Sequence, residues 1–156
     1  MAVTIHWDVS DASRARLSSF TDALAERAVL AGLAEGEREG LEVAVIFVSD
    51  SALTELHGRF LGDDSPTDVI TFDLGEEGED DPSAELYVSV DAAFRCAAEH
   101  GLAVDNELLL YVAHGTLHLC GFDDHDQEER KVMRLAEVRV LASLGVELDI
   151  ARHEQA

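Results

Sequence analysis

Lysine is almost missing from this sequence. Of 11 basic residues in 156, only Lys131 is a lysine, while 33 acidic residues set a formal net charge of −22. So acidic a chain repels phosphate over most of its surface, which excludes a broad basic platform for nucleic acid. Any such contact has to be local or assisted by a metal. The same acidity also serves solubility, including in a salty cytoplasm. Cysteine is scarce as well. Cys96 and Cys120 form neither a Cys-x-x-Cys pair nor a dense framework, which excludes a disulfide scaffold and fits a reducing cytosol. No run of about 18 apolar residues occurs, and the opening MAVTIHWDVS has neither a basic nor an apolar signal region. The expectation is a soluble, cytoplasmic protein with no membrane partner.

What is present is an ordinary globular mix, 47% hydrophobic and 28% charged. The length suits one domain over residues 1–156, enough to remove roughly 70% of the unfolded surface from water. Four segments read as strands: the alternating VTIHWDV (3–9), the β-branched LEVAVIFV (41–48), PTDVITFDL (66–74) behind a Pro-Thr-Asp turn, and AELYVSV (84–90). Helical spacing joins Leu17, Phe20, Leu24 and Ala28 behind a cap at Ser10 or Asp11. It also joins Leu53, Leu56 and Phe60 behind Asp50. A helix over 91–100 stops at Gly101. Residues 105–119, DNELLLYVAHGTLHL, are apolar all round, so this helix belongs in the middle of the fold, with Asp105 or Asn106 as its cap. A last helix, 126–144, presents Val132, Leu135, Val138 and Leu141 and ends at Gly145. GEEGEDDPS (75–83) reads as a solvated loop and ARHEQA as a polar tail; no internal repeat occurs. The expected fold is α+β, a mixed four-stranded sheet covered by about five helices, with a metal site at the end of the central buried helix.

The chemistry concentrates in HGTLHLCGFDDH, residues 114–125. Positions four apart on a helix differ by about 40° in direction, so His114 and His118 present their imidazoles one above the other and can chelate one ion. Gly121 suits the left-handed residue that ends a helix, and the returning chain offers a third ligand from Asp123, Asp124 or His125. Three protein ligands plus water is the open arrangement of a catalytic zinc. A pair of core histidines that merely hydrogen-bond is the plainer alternative, and it accounts for neither the spacing nor the cluster of ligand types that follows. The His-Glu-x-x-His helix of zinc proteases places its general base where this chain has Gly115, so protease chemistry of that type lacks its base. Cys120 reads as a small core side chain, and His6, His57, His100 and His153 lack ligand-spaced neighbours.

The string from His114 to Asp123 resembles the signature of the YbeY family of bacterial single-strand-specific endoribonucleases. Pro66-Thr67-Asp68-Val69-Ile70-Thr71-Phe72 and Glu85-Leu86-Tyr87-Val88-Ser89 are similar to two strands of that family, and LASLG fits its last helix. The likeness spans about residues 41–145. It implies a metal-dependent endoribonuclease holding one zinc ion, acting in maturation of 16S ribosomal RNA and ribosome quality control, with single-stranded RNA and the small ribosomal subunit as partners and no DNA. The family's third ligand follows in a His-x3-His-x5-His pattern. That register falls on Asp124, with His125 one step beyond, so both stay candidates and the register favours Asp124. Asp123 is a candidate to orient a ligand imidazole. Where the family carries an arginine this chain has Leu61; Arg59, two residues earlier, is the candidate substitute for a catalytic role, although two residues along a helix is a different face. A bound ion would acidify water and polarise the phosphodiester, with Arg59 stabilising developing charge. Glu85, Thr67 and Asp68 are candidates to line the cleft. Two other readings compete: a metal hydrolase of another substrate class, and a ribosome-assembly factor whose zinc is structural.

Overall fold

The computed structural model describes residues 3–61, 68–75 and 82–148, with the side chains of Phe60 and Leu61 excepted. Pro66 and Thr67, most of the acidic loop and His153 therefore lie outside the described residues. The chain runs β1 (Val3–Asp8), α1 (Asp11–Ala15), α2 (Asp22–Glu35), β2 (Glu42–Val48), α3 (Asp50–Leu61), β3 (Val69–Asp73), β4 (Ser83–Ser89), α4 (Val90–His100), α5 (Val104–Leu119) and α6 (Gln127–Ser143). The sheet order is β1-β2-β4-β3. β1, β2 and β4 are mutually parallel, and β3 runs antiparallel to β4 at the edge. The fold is the expected α+β arrangement with a mixed sheet, and it has six helices where about five are expected.

The extra helix comes from a break. Helical spacing through Leu17 and Phe20 predicts one continuous helix, yet the chain stops after Ala15 and restarts when the Thr21 side chain caps α2 by accepting from the Leu24 N–H. The break is set by packing. Leu17 and Phe20 are fully buried, and Phe20 meets Trp7 and Phe47 edge-on, with ring centroids 5.9 and 5.6 Å away, while Trp7 and Phe47 stack at 4.1 Å. A linker that plunges two large side chains into the core leaves the helical path.

Two further caps differ from expectation. Ser49, not Asp50, caps α3, accepting from the Ala52 N–H; Asp50 instead pairs with Arg95 and accepts from the Ser89 hydroxyl. α5 starts one residue early, at Val104, and Ala103 gives it no side-chain cap. Asp105 lies in its first turn, where a carboxylate meets the positive end of the helix dipole, and accepts from the Ser19 hydroxyl.

Alternation along the strands sorts the two faces of the sheet. Val43, Val45, Phe47, Ala84, Leu86 and Val88 join the large core with α2, α4, α5 and α6, whereas Ile46, Phe72 and Tyr87 meet Leu53 and Leu56 of α3 on the other face. α5 lies between sheet and outer helices, and its stretch from Glu107 to Ala113 is buried without a gap. That is what its all-round apolarity predicts. On α6 the expected stripe is displaced: Met133, Ala136, Val140 and Leu141 are buried, while Val132 and Leu135 are 54% and 50% exposed. No described helix is long and apolar enough to cross a membrane.

Candidate metal centre

α5 ends in a Schellman turn. The Phe122 N–H donates to the Leu117 carbonyl and the Gly121 N–H to that of His118, with Gly121 at φ 98°, in the region that disfavours a Cβ. Four residues after the turn, α6 is capped by Asp126, whose side chain accepts from the Glu129 N–H at 2.8 Å. Asp124 is thus held in a short bridge between two capped helix ends, and the Arg130 guanidinium donates to its carbonyl at 3.3 Å. On the other side, Arg38 donates to the Leu119 carbonyl at the end of α5 and to Asp73 of the sheet edge, satisfying an acceptor the helix leaves open.

These restraints bring three donor atoms together. His114 Nε2 and His118 Nε2 are 3.1 Å apart, and an Asp124 carboxylate oxygen is 3.7 Å from each. Four-coordinate zinc with bonds of about 2.0–2.1 Å keeps its donors about 3.3 Å apart, so the set fits such an ion with little movement. The imidazoles are 28% and 25% exposed and the carboxylate 42%, which leaves the position open on one side. His114, His118 and Asp124 form the one cluster of potential metal-binding side chains among the described residues.

The other candidates lie elsewhere. His125 is 79% exposed and faces the Asp123 carboxylate at 3.5 Å. Asp123 stands 4.0 Å from His118 Nδ1, beyond hydrogen-bonding reach. Arg59 is exposed on the last turn of α3, on the sheet face opposite α5, and is not among the described residues lining the cavity at His114. Glu85 alternates with Leu86, which contacts α5, so it too points to the α3 face. Cys120 is directed at the Gly32 carbonyl rather than the cluster. Asp68, at the head of β3, is close enough for its charge to act on His114.

Sequence reasoning missed Glu137. This buried carboxylate, 4% exposed, approaches His114 Nδ1 at 3.3 Å through one oxygen and Arg134 at 3.3 Å through the other. A carboxylate on the far nitrogen sets the tautomer that leaves Nε2 free to bind an ion. Burial disfavours the charged imidazole of His114, but the hydrogen bond and charge of Glu137, with Asp68 and Asp124 adding to them, outweigh it and raise the pKa. The surroundings therefore favour positive charge at that point. The only sequence signal for Glu137 is an acid on the apolar side of α6, which passes for a solvated residue until the buried face is located.

Gly115 also has a packing reason. A Cβ there would lie 2.2 Å from Leu86 Cδ1 and 2.9 Å from Val69 Cγ1, so α5 rests directly on β3 and β4 with no room for the protease glutamate.

The sequence pattern of the family described as "Endoribonuclease YbeY" matches residues 8–145. This stretch begins in β1, well before the motif-bearing region. Among curated proteins, the chain is 30% identical to an endoribonuclease YbeY of Desulfitobacterium hafniense, across 94% of this chain and 99% of that one. It is 41% identical to another from Bacteroides thetaiotaomicron, across 69% and 76%. A protein of Thermotoga maritima solved in solution is similar in fold, with a TM-score of 0.59 and 29% identity over 92% of this chain and 91% of that one.

Proposed function

We propose, because this chain belongs to the endoribonuclease YbeY family, that it is a zinc-dependent, single-strand-specific endoribonuclease that acts in the cytoplasm on ribosomal RNA of the small subunit, with residues 1–156 as one catalytic unit. His114, His118 and Asp124 hold the ion. The observation that carries this reading is the separation of their donor atoms, 3.1 and 3.7 Å, set at a solvent-facing opening. Bound there, a divalent cation supplies Lewis acidity to a phosphodiester and lowers the pKa of water towards neutrality.

The protein's own groups do the rest. Glu137 fixes the His114 ring from behind, and the Schellman turn and Asp126 cap keep Asp124 in place. Asp123 is assigned to the His118 side, where a shift of under an ångström brings it into hydrogen-bonding range of Nδ1. His125 lies outside the cluster, and Arg59, exposed on α3 and absent from the cavity wall, is not assigned the catalytic role. Gly115, with no space for a side chain, speaks against a protease of the His-Glu-x-x-His kind.

The test is metal analysis of the wild type, His114→Ala, Asp124→Ala and His125→Ala, each assayed on single-stranded and duplex RNA. The expected result is one zinc per chain and single-strand cleavage in the wild type and His125→Ala. Both are lost in the other two variants with the far-ultraviolet dichroism unchanged. Zinc lost from His125→Ala alone would overturn the ligand assignment, and a zinc-loaded wild type that cuts no RNA would overturn the activity.

A further inference from the structure

An enzyme carrying a net charge of −22 has to hold a polyanion somewhere. The cavity that opens beside His114 and Asp124, about 500 Å³, is also lined by Gln127, Arg130, Lys131, Arg134 and Leu135. Residues 127, 130, 131 and 134 recur at the three- and four-residue spacing of one helix face. Two acids of the same helix, Glu128 and Glu129, line a separate hollow with Asp123 and Phe122, while Glu137 stays on the cavity wall with its charge shared between His114 and Arg134. Glu128 and Glu129 thus lie apart from the wall on which Arg130, Lys131 and Arg134 gather.

The three cations are not equivalent. Arg134 neutralises the buried Glu137, and Arg130 braces the Asp124 carbonyl, so both have structural work. Lys131 has no ion pair or hydrogen bond among the described residues, and it is the chain's single lysine. An exposed ammonium without a partner, lining a cavity shared with metal ligands in so acidic a protein, has no structural role to explain it. Leu135, half-exposed on the same wall, adds an apolar ledge that a base can cover.

We propose that this face of α6, with Lys131 and Arg130 as phosphate contacts and Leu135 as a base contact, is the subsite that holds the single-stranded RNA flanking the scissile bond. It rests on the endoribonuclease reading. The site confers affinity without sequence preference, because phosphate contacts position a strand and carry no base information.

The experiment measures binding of a fluorescent single-stranded RNA to the zinc-loaded full chain between about 0.05 and 0.2 M salt, for the wild type, Lys131→Gln, Arg130→Gln and, as an equal change of charge on an exposed face of α2, Arg27→Gln. Each α6 variant is expected to weaken binding several-fold and to reduce the slope of log K against log salt by about 0.7, the loss of one phosphate contact to a single strand. Zinc content should hold at one per chain in Lys131→Gln, and Arg27→Gln should match the wild type. Bound RNA should also slow acetylation of Lys131 in the wild type, a readout independent of turnover. If the wild type binds and cuts RNA while both α6 variants keep its affinity and slope, the subsite is wrong and the activity stands. A wild type that binds no RNA overturns both.

Discussion

His114 works at both ends of its ring. Nε2 faces His118 and Asp124, and Nδ1 faces Glu137, which is buried and shared with Arg134. Glu137 and its neighbours favour positive charge at the imidazole, and a carboxylate on Nδ1 sets the tautomer that leaves Nε2 turned towards His118 and Asp124. Replacing Glu137 by Gln keeps the shape and removes the charge. Zinc affinity, measured by competition with a chelating dye, is expected to fall about 10- to 100-fold. An unchanged affinity would reduce Glu137 to a counter-ion for Arg134. The histidine spacing and the ligand-rich exit were legible in the sequence, because helix geometry alone decides that i and i+4 meet. Glu137, 23 residues beyond His114, was not, since its role depends on which face of α6 turns inward.

At the scale of elements, α5 is placed by a glycine. Leu86 and Val69 sit where a Gly115 Cβ would be, and Leu86 is fully buried, so it has little room to yield. Gly115→Ala is expected to destabilise by about 1–3 kcal/mol through overpacking. Leu86→Ala, which empties space, is expected to cost about 2–5 kcal/mol. The double variant should be more stable than the sum of the two predicts, because each change relieves the other; strict additivity in chemical denaturation would mean that the two do not touch. The break between α1 and α2 belongs to the same scale. Leu17 and Phe20 have helical spacing, but their burial against Trp7 and Phe47 decides the path. The α6 stripe was misplaced for a related reason. Alternative apolar faces one residue apart, Val132 with Leu135 or Met133 with Ala136, are equally periodic, and only contact with α5 chooses between them.

For the whole molecule, charge sets how stability responds to solvent. Self-repulsion at −22 is long-ranged and screened by salt. Raising sodium chloride from about 0.05 to 0.5 M is expected to raise Tm, even though exposed ion pairs weaken over the same range. Acid acts in the other direction on particular carboxylates. The hydrogen bond from Arg38 holds Asp73 below the usual carboxylate range against the opposing effect of burial. Burial pushes Asp50 up, but hydrogen bonds from Arg95 and Ser89 bring it below its ordinary value. A carboxyl whose folded value is depressed adds stability that is present above the unfolded value, about 4, and is lost as pH falls through the folded one. Tm should therefore drop below about pH 4, and Asp73→Asn should flatten that drop. A drop as steep in the variant as in the wild type would place the acid sensitivity elsewhere.

The order of residues alone accounts for the class of fold, the four strands, the central position of α5, the pair of histidines four apart and the glycine turn that returns the chain. Each of these follows from periodicity or from a backbone preference acting over a few residues. It took the packing of distant segments to show that Asp124 and not His125 faces both imidazoles, that Glu137 stands behind His114, that Glu85 points to the opposite side of the sheet, and that Lys131 shares a cavity with His114. Those outcomes depend on which surfaces of distant segments are pressed together, and the free energy of burying a face is a property of the pair, which neither segment carries alone.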